Sequence, residues 1–108
     1  MEKTTRRIIL DLAEEYLNSS DYKPWFISGR WCDRITKELK LKELSDLELA
    51  NMWDMVFLTL DNKFNYYYIN GDEDKGIDWL DIKSAFTEVV NAEARRRKYS
   101  KKDILKEI

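Results

Sequence analysis

The sequence predicts an all-α protein, a compact bundle of four main helices with a short additional helix at the C-terminus. Apolar residues recur every three or four positions over long stretches, which is the spacing of one helical face. The 108 residues include only one proline and three glycines, whereas a fold made of many strands needs more turns. Helix-capping patterns also come directly before two of the predicted helices.

The first two helices follow from regular apolar spacing. In the first, apolar side chains share one helical face, and Thr4 or Thr5 is the predicted cap. Its apolar positions are Ile8, Ile9, Leu12, Ala13, Tyr16 and Leu17. The second helix is predicted from Ser28 to about Lys40. Its apolar residues recur every four positions, at Trp31, Ile35 and Leu39.

The third helix, predicted at about residues 45–61, opens on a capping box. Ser45 is followed three residues later by Glu48, so that each side chain can bond the backbone N–H of the other residue. Apolar residues then surround nearly the whole helix, and no Lys or Arg lies between Asp46 and Asn62. A helix that is apolar all round is usually buried on most sides. We therefore expect this helix at the centre of the bundle.

The remaining elements lie in the second half of the chain. Residues 64–69 are rich in aromatics, which favours a strand. A strand there has no evident partner, however. Continuation of the third helix is therefore the preferred interpretation. The fourth helix is predicted at about residues 78–98. Its apolar stripe consists of Trp79, Ile82, Phe86, Val89 and Val90. A second capping pattern, from Ser100 to Asp103, precedes the short C-terminal helix.

Composition indicates one globular α-helical domain over residues 1–108. Apolar residues make up 44% of the chain and charged residues 37%, which is the balance of a globular protein. No apolar run approaches the ~20 residues of a membrane span. The single cysteine, Cys32, cannot form an internal disulfide. We expect a cytoplasmic protein that contacts no membrane.

Missing residue types exclude much of catalytic chemistry. The chain contains no histidine, which removes Ser-His-Asp and Cys-His pairs and histidine-based zinc sites. Its three glycines are scattered, so the sequence has no glycine-rich phosphate loop. We expect a protein that is not an enzyme, with no catalytic residues and no cofactor.

An acidic stretch at residues 65–82 raises the question of a metal ion. Oxygen-bearing side chains recur at places that calcium ligands occupy in a tight loop. They are Asn70, Asp72, Asp74, Asp78 and Asp81. The stretch resembles the calcium loop of EF-hand and dockerin modules over about thirteen residues. That resemblance implies a divalent-cation site formed by these side chains, although Lys75 stands where the family has glycine, and Gly76 follows one place late.

The alternative interpretation of the same stretch is an acidic turn without a metal. Residues 71–76 then form a solvated turn, Asp78 caps the fourth helix, and Asp81 complements the positive end of the helix dipole. This interpretation explains every residue of the stretch. It is the preferred one, and no metal ligand is assigned.

A basic segment follows near the C-terminus. Clustered Lys and Arg can follow nucleic-acid phosphates. The residues concerned are Arg95, Arg96, Arg97, Lys98, Lys101 and Lys102. Consecutive cations on a helix lie about 100° apart, so they circle the helix and form no stripe. Nucleic-acid binding through this segment is therefore an alternative function and not the preferred one.

The preferred binding surface combines tyrosine with acid. Tyr66, Tyr67 and Tyr68 are consecutive, so neither a helix nor a strand can bury all three, and tyrosine is a typical anchor of protein interfaces. Acidic side chains follow shortly after, at Asp72, Glu73 and Asp74. These six residues are the predicted contact with another protein. A homodimer is a further alternative.

The sequence as a whole predicts a small, non-enzymatic protein that binds and regulates another protein. Negative charge at 72–81 and positive charge at 95–102 are well separated. The acidic segment can steer association or imitate nucleic-acid phosphate to a basic partner. Lys, Ile, Asn and Tyr are frequent, as in proteins of AT-rich bacterial or phage genomes. An accessory protein of a phage or mobile element that inhibits a host enzyme or defence complex fits this profile.

Overall fold

The computed structural model describes residues 3–24 and 26–106, with side chains described up to residue 98. Within these residues the protein is all-α, as predicted, and no strand is present beyond one isolated bridge between Lys23 and Phe26. Its elements are α1 (Thr5–Leu17), α2 (Gly29–Glu38), a 3-10 turn (Leu41–Glu43), α3 (Asp46–Ile69) and α4 (Glu73–Lys106). The described part of the chain contains no helix that is long and apolar enough to cross a membrane.

The helices begin where side chains satisfy their first backbone N–H groups. Thr4 accepts from the N–H of Arg7 at 3.2 Å, and Ser28 caps α2 in the same way. The capping box of α3 is complete. The Glu48 N–H donates to the Ser45 hydroxyl at 3.2 Å, and the Ser45 N–H donates to the Glu48 carboxylate at 3.0 Å. These caps confirm the starts predicted for the first three helices.

The bounds of α3 and α4 differ from the prediction. Residues 64–69 are helical, as preferred, and they extend α3 eight residues beyond position 61. Helix α4 begins at Glu73 and not near Asp78. It continues to Lys106, so the short C-terminal helix is not a separate element but the end of α4. The side chains of that end lie outside the described ones.

One apolar core joins all four helices. Tyr16 of α1 is fully buried at its centre, and its ring lies 5.1 Å from the Trp31 ring and 6.2 Å from the Phe86 ring. The Tyr16 hydroxyl donates to the backbone carbonyl of Phe26 at 3.2 Å. Burial of a tyrosine is therefore accompanied by a partner for its polar end, as is usual for this side chain.

Helices α3 and α4 form a long antiparallel hairpin. Lys83 of α4 lies in the seam between them. Its ammonium group is 3.0 Å from the Asp61 carboxylate and 4.7 Å from the centre of the Phe57 ring. An ion pair and a cation–π contact thus hold the same cation.

The expectation that α3 is buried on most sides is wrong. One side of the helix packs into the core through Leu49, Val56, Thr59 and Leu60. The other side carries exposed apolar residues, namely Leu47, Met55, Leu58, Tyr66, Tyr68 and Ile69. The other helices cover only the core-facing side of α3, and its exposed side mixes these apolar residues with polar ones such as Asn51 and Asp54.

Candidate protein-interaction surface at the α3–α4 turn

Three residues, Asn70, Gly71 and Asp72, connect α3 to α4. Gly71 has a φ of +79°, a conformation that glycine adopts without a side-chain clash. The Asp72 N–H donates to the Tyr67 carbonyl at 2.9 Å, and the Gly71 N–H donates to the Tyr68 carbonyl at 3.2 Å. This is the Schellman arrangement of a helix C-terminus. Asp72 then accepts from the Lys75 N–H at 3.3 Å and caps α4.

The turn brings apolar and acidic side chains to one end of the hairpin. Tyr66 and Tyr68 are each 61% exposed, and Ile69 and Ile77 are more than half exposed. Glu73 and Asp74 are exposed beside them, and Asp72 is half-buried. We call this set the tip surface: Tyr66, Tyr68, Ile69, Asp72, Glu73, Asp74 and Ile77. Because both helices are capped at the turn, the backbone that carries the surface is well defined.

Tyr67, the third predicted tyrosine, packs towards α4, and its ring also meets the Tyr66 ring edge-on, with centroids 5.2 Å apart. Its ring is half-buried and stacks on the Trp79 ring, with centroids 6.5 Å apart and planes 13° from parallel. The Lys75 ammonium lies 5.5 Å from the centre of the same ring. Five of the six predicted partner-binding residues therefore lie in or beside the turn with exposed or half-buried side chains, whereas Tyr67 packs between α3 and α4.

The EF-hand-like loop predicted at 70–81 is not formed. Since α4 begins at Glu73, Asp74, Asp78 and Asp81 are helical residues and not loop ligands. Asp78 accepts instead from the Tyr22 hydroxyl at 3.2 Å. Among the described side chains, no three acidic or cysteine residues are grouped so as to hold a metal ion. The alternative expectation that Asp78 caps α4 is also wrong, because Asp72 does so.

Glycine positions explain the early start of α4. Gly71, and not Gly76, supplies the left-handed residue of the turn. Gly76 is buried inside the first turns of α4, where a Cβ would lie 3.6 Å from the Tyr68 backbone nitrogen. That distance is an ordinary van der Waals contact, so Gly76 lies where α4 approaches α3 but is not required for the approach. Because the turn is made at Gly71, the acidic residues from Glu73 onwards continue along a helix.

Burial raises the pKa of two ionisable groups near the start of α4. It raises the pKa of the Asp81 carboxyl, and the negative charge of Asp78 adds to that increase. Burial and the same Asp78 carboxylate raise the pKa of the Tyr22 phenol. Tyr22 therefore remains a hydrogen-bond donor to Asp78 over the neutral pH range and fastens the start of α4 to the segment after α1.

The basic segment on α4 is largely paired within the chain. Arg95 forms an ion pair with Glu88. Arg96 donates two hydrogen bonds to the Glu93 carboxylate, at 3.0 and 2.7 Å. Arg97 donates to three acceptors: Glu93 at 3.2 Å, the Asp46 carboxylate at 3.1 Å and the Leu41 carbonyl at 2.9 Å.

Arg97 ties α4 to the start of α3 and to the 3-10 turn, whereas the pairs of Arg95 and Arg96 lie within α4. Glu93 is only 6% exposed. The hydrogen bonds from Arg96 lower the pKa of its carboxyl most. Burial acts in the opposite direction, but with the further bond from Arg97 the pKa stays below its ordinary value. Lys98 is exposed, whereas the side chains of Lys101 and Lys102 lie outside the described ones. Arg97 thus stabilises the fold, whereas Arg95 and Arg96 are paired within α4 and remain more than half exposed.

Sequence reasoning missed the apolar members of the surface. Ile69 and Ile77 lie on the tip surface, and Leu47, Met55 and Leu58 extend the exposed apolar side along α3. The signal was present, because α3 carries more apolar residues than one buried face requires. Such a composition also predicts a helix that is buried on most sides, and only the packing of the neighbouring helices distinguishes that case from an exposed apolar side.

Comparison of the chain with protein-family models, with curated proteins and with solved structures finds no match.

Proposed function

We propose that this protein is a small, non-enzymatic regulatory protein that acts by binding another protein through the tip surface. The observation that supports this proposal is the arrangement at the tip, where Tyr66, Tyr68, Ile69 and Ile77 are exposed beside Glu73 and Asp74. Exposed aromatic and aliphatic groups rimmed by charge are typical of protein-binding sites. Capping of both helices at the turn lowers the entropic cost of binding.

The charge of the tip surface defines the kind of partner. Three consecutive acidic residues, Asp72, Glu73 and Asp74, lie at the turn, and only Lys75 adds a positive charge within residues 72–77. A partner with a basic rim around an apolar pocket is complementary to it. Such basic surfaces include nucleic-acid-binding sites, so the tip can act as a phosphate mimic. Inhibition of a nucleic-acid-binding enzyme or defence complex in a bacterial host is the proposed biological setting.

A capture experiment with matched variants tests this function. The immobilised chain is incubated with an extract of the native host, and bound proteins are compared with those retained by Tyr68→Ala and by Glu73→Gln/Asp74→Asn. We expect a partner that wild type retains and that both variants lose, with retention falling as salt rises because the contact is partly ionic. Glu38→Gln, an exposed acid on α2, is the control and retains the partner.

Two outcomes count against the proposal. Equal retention of the same partner by wild type and both tip variants places the contact elsewhere on the molecule. Retardation of DNA or RNA by the purified chain, abolished by Arg95→Ala/Arg96→Ala, supports the nucleic-acid alternative instead.

A further inference from the structure

A cavity of about 330 Å³ lies between α4 and the segment that follows α1. Its α4 side consists of Asp81, Ser84, Ala85 and Glu88, which recur at the three- and four-residue spacing of one helical face. Small-molecule sites commonly have volumes from about 300 Å³ upwards. At about 30 Å³ for each water-sized group, this cavity has room for about ten non-hydrogen atoms.

Aromatic residues form the other side of this cavity. Tyr22 and Phe26 line it, together with the fully buried Tyr16. Phe26 is 65% exposed, so its ring remains available for a further contact. Aromatic rings attract a cation placed over their faces, and they also pack against an alkyl chain. This side of the cavity therefore suits a cation that is carried on an apolar body.

Two half-buried carboxylates at this place have no cationic partner. Asp81 lines the cavity and Asp78 precedes it by one helical turn, and neither forms an ion pair with any described side chain. Asp78 accepts one hydrogen bond, from the Tyr22 hydroxyl at 3.2 Å. Burial raises the pKa of Asp81, and the charge of Asp78 adds to the increase, as expected for a carboxylate whose charge is not compensated. By contrast, Asp61 and Glu93 each pair with a lysine or arginine of the chain.

We infer that this cavity binds a primary ammonium group on a short alkyl chain. The ammonium group donates hydrogen bonds to the Asp81 carboxylate, while the alkyl chain packs on the rings of Tyr22 and Phe26. Two natural sources carry such a group, namely free polyamines and the lysine side chains of other proteins. The site goes beyond the proposed function, because the cavity is separate from the residues of the tip surface and can be tested on the purified chain.

A cation of the chain itself borders the cavity without filling this role. Lys23 lines the cavity and is exposed, and within the described part of the chain it forms no ion pair with Asp81 or Asp78. Glu88, at the other end of the α4 side, is already paired with Arg95. The Asp81 carboxylate is therefore left for an external cation.

Titration of the isotope-labelled chain with amines, followed by NMR chemical shifts, tests the site. The probes are butylammonium, spermidine and N-acetyl-lysine amide, in about 0.15 M salt so that binding to exposed surface charges is screened. We expect saturable shifts of the backbone amides of Tyr22, Phe26 and residues 81–88. Because butylammonium has few atoms to contribute contacts, its dissociation constant should be of about millimolar magnitude.

Matched variants assign the ion pair to one carboxylate. Asp81→Asn should weaken butylammonium binding about tenfold, whereas Asp33→Asn, the same change at an exposed acid on α2, leaves it unchanged. Asp81→Asn should also raise the melting temperature of the free chain, because it removes the repulsion between Asp81 and Asp78. Ser84→Lys, at an exposed position, provides a tethered ammonium group one turn from Asp81 and should abolish binding. Lys23→Gln removes a competing positive charge and should strengthen binding about threefold.

The amines also distinguish the two sources of the ammonium group. Spermidine that binds more than about tenfold tighter than N-acetyl-lysine amide assigns the cavity to free polyamines, and a smaller difference assigns it to a lysine side chain. Absence of saturable shifts with every probe up to about 20 mM, well above the expected constant, overturns the site. Equal binding of butylammonium by Asp81→Asn and wild type overturns it as well. The capture experiment on the tip surface does not depend on either result.

Discussion

Replacement of Glu93 by glutamine isolates the ionic contribution of the network that joins α4 to α3 and the 3-10 turn. Glutamine keeps the shape of the side chain and one acceptor oxygen but removes its charge. Both arginines stabilise the Glu93 carboxylate. Solvent screens the two bonds from Arg96, whose side chain is 59% exposed, more than it screens the bond from Arg97, whose side chain is only 16% exposed.

The expected loss of stability follows from that bond. A hydrogen bond to a charged group contributes about 1.5–3 kcal/mol to the free energy of unfolding. Unfolding entropy is about 2.1 cal/mol/K per residue, so over 108 residues this loss lowers the melting temperature by about 7–13 °C. Thermal and urea denaturation followed by circular dichroism measure both quantities. Glu88→Gln, which removes the charge from an exposed pair with Arg95, is the control and costs less than about 1 kcal/mol.

The pH dependence distinguishes a lost charge from a packing defect. The pKa of Glu93 in the folded chain is lowered from its ordinary value of 4.5, chiefly by the hydrogen bonds from Arg96. Its stabilisation is therefore fully present above that value and is lost as the pH falls through the lowered pKa of the folded state. The difference in stability between wild type and Glu93→Gln must shrink below pH 4.5. A difference that stays constant down to the acid limit of folding would refute the ionic explanation.

Three further predictions concern helix ends. Gly71→Ala forces a side chain into the left-handed conformation and should reduce the free energy of unfolding by about 1–2 kcal/mol in urea denaturation. Lys40, which has a φ of 53°, is the converse case. Lys40→Gly relieves the same strain but adds backbone entropy to the unfolded chain. We therefore expect the free energy of unfolding to rise by less than about 1 kcal/mol in the same assay. Ser45→Ala should cost about 1 kcal/mol and raise amide exchange of the first turn of α3, because the capping box is lost; unchanged exchange there would contradict the role of the cap.

Local patterns predicted most of the helices. The starts of the first three helices depend on caps within a few residues of the capped N–H groups. The predicted starts of α1 and α3 therefore differ from those in the structure by no more than one residue. The start of α4 was misplaced because two glycines, Gly71 and Gly76, both suit a turn. Only the backbone conformation in the folded chain, with a φ of +79° at Gly71, distinguishes the glycine of the turn from the glycine inside α4.

The candidate surfaces were less predictable, because they depend on distant residues. Arg97 pairs with Asp46, which is 51 positions earlier in the chain, and no local pattern reveals such a pair. The cluster of arginines therefore resembled a nucleic-acid site in the sequence, although its charges are largely used within the fold. The exposed side of α3 was missed for a related reason: apolar composition does not reveal how many neighbours a helix has.

Chemical labelling of Lys83 can report opening of the α3–α4 hairpin. Its amine is held between Asp61 and the rings of Phe57 and Phe64, so an acylating reagent can reach it readily only after the two helices separate. Lys37, on the outside of α2, is exposed and reacts without any opening. The ratio of acylation rates at the two lysines, followed by mass spectrometry, therefore reports how often the hairpin opens in the native protein.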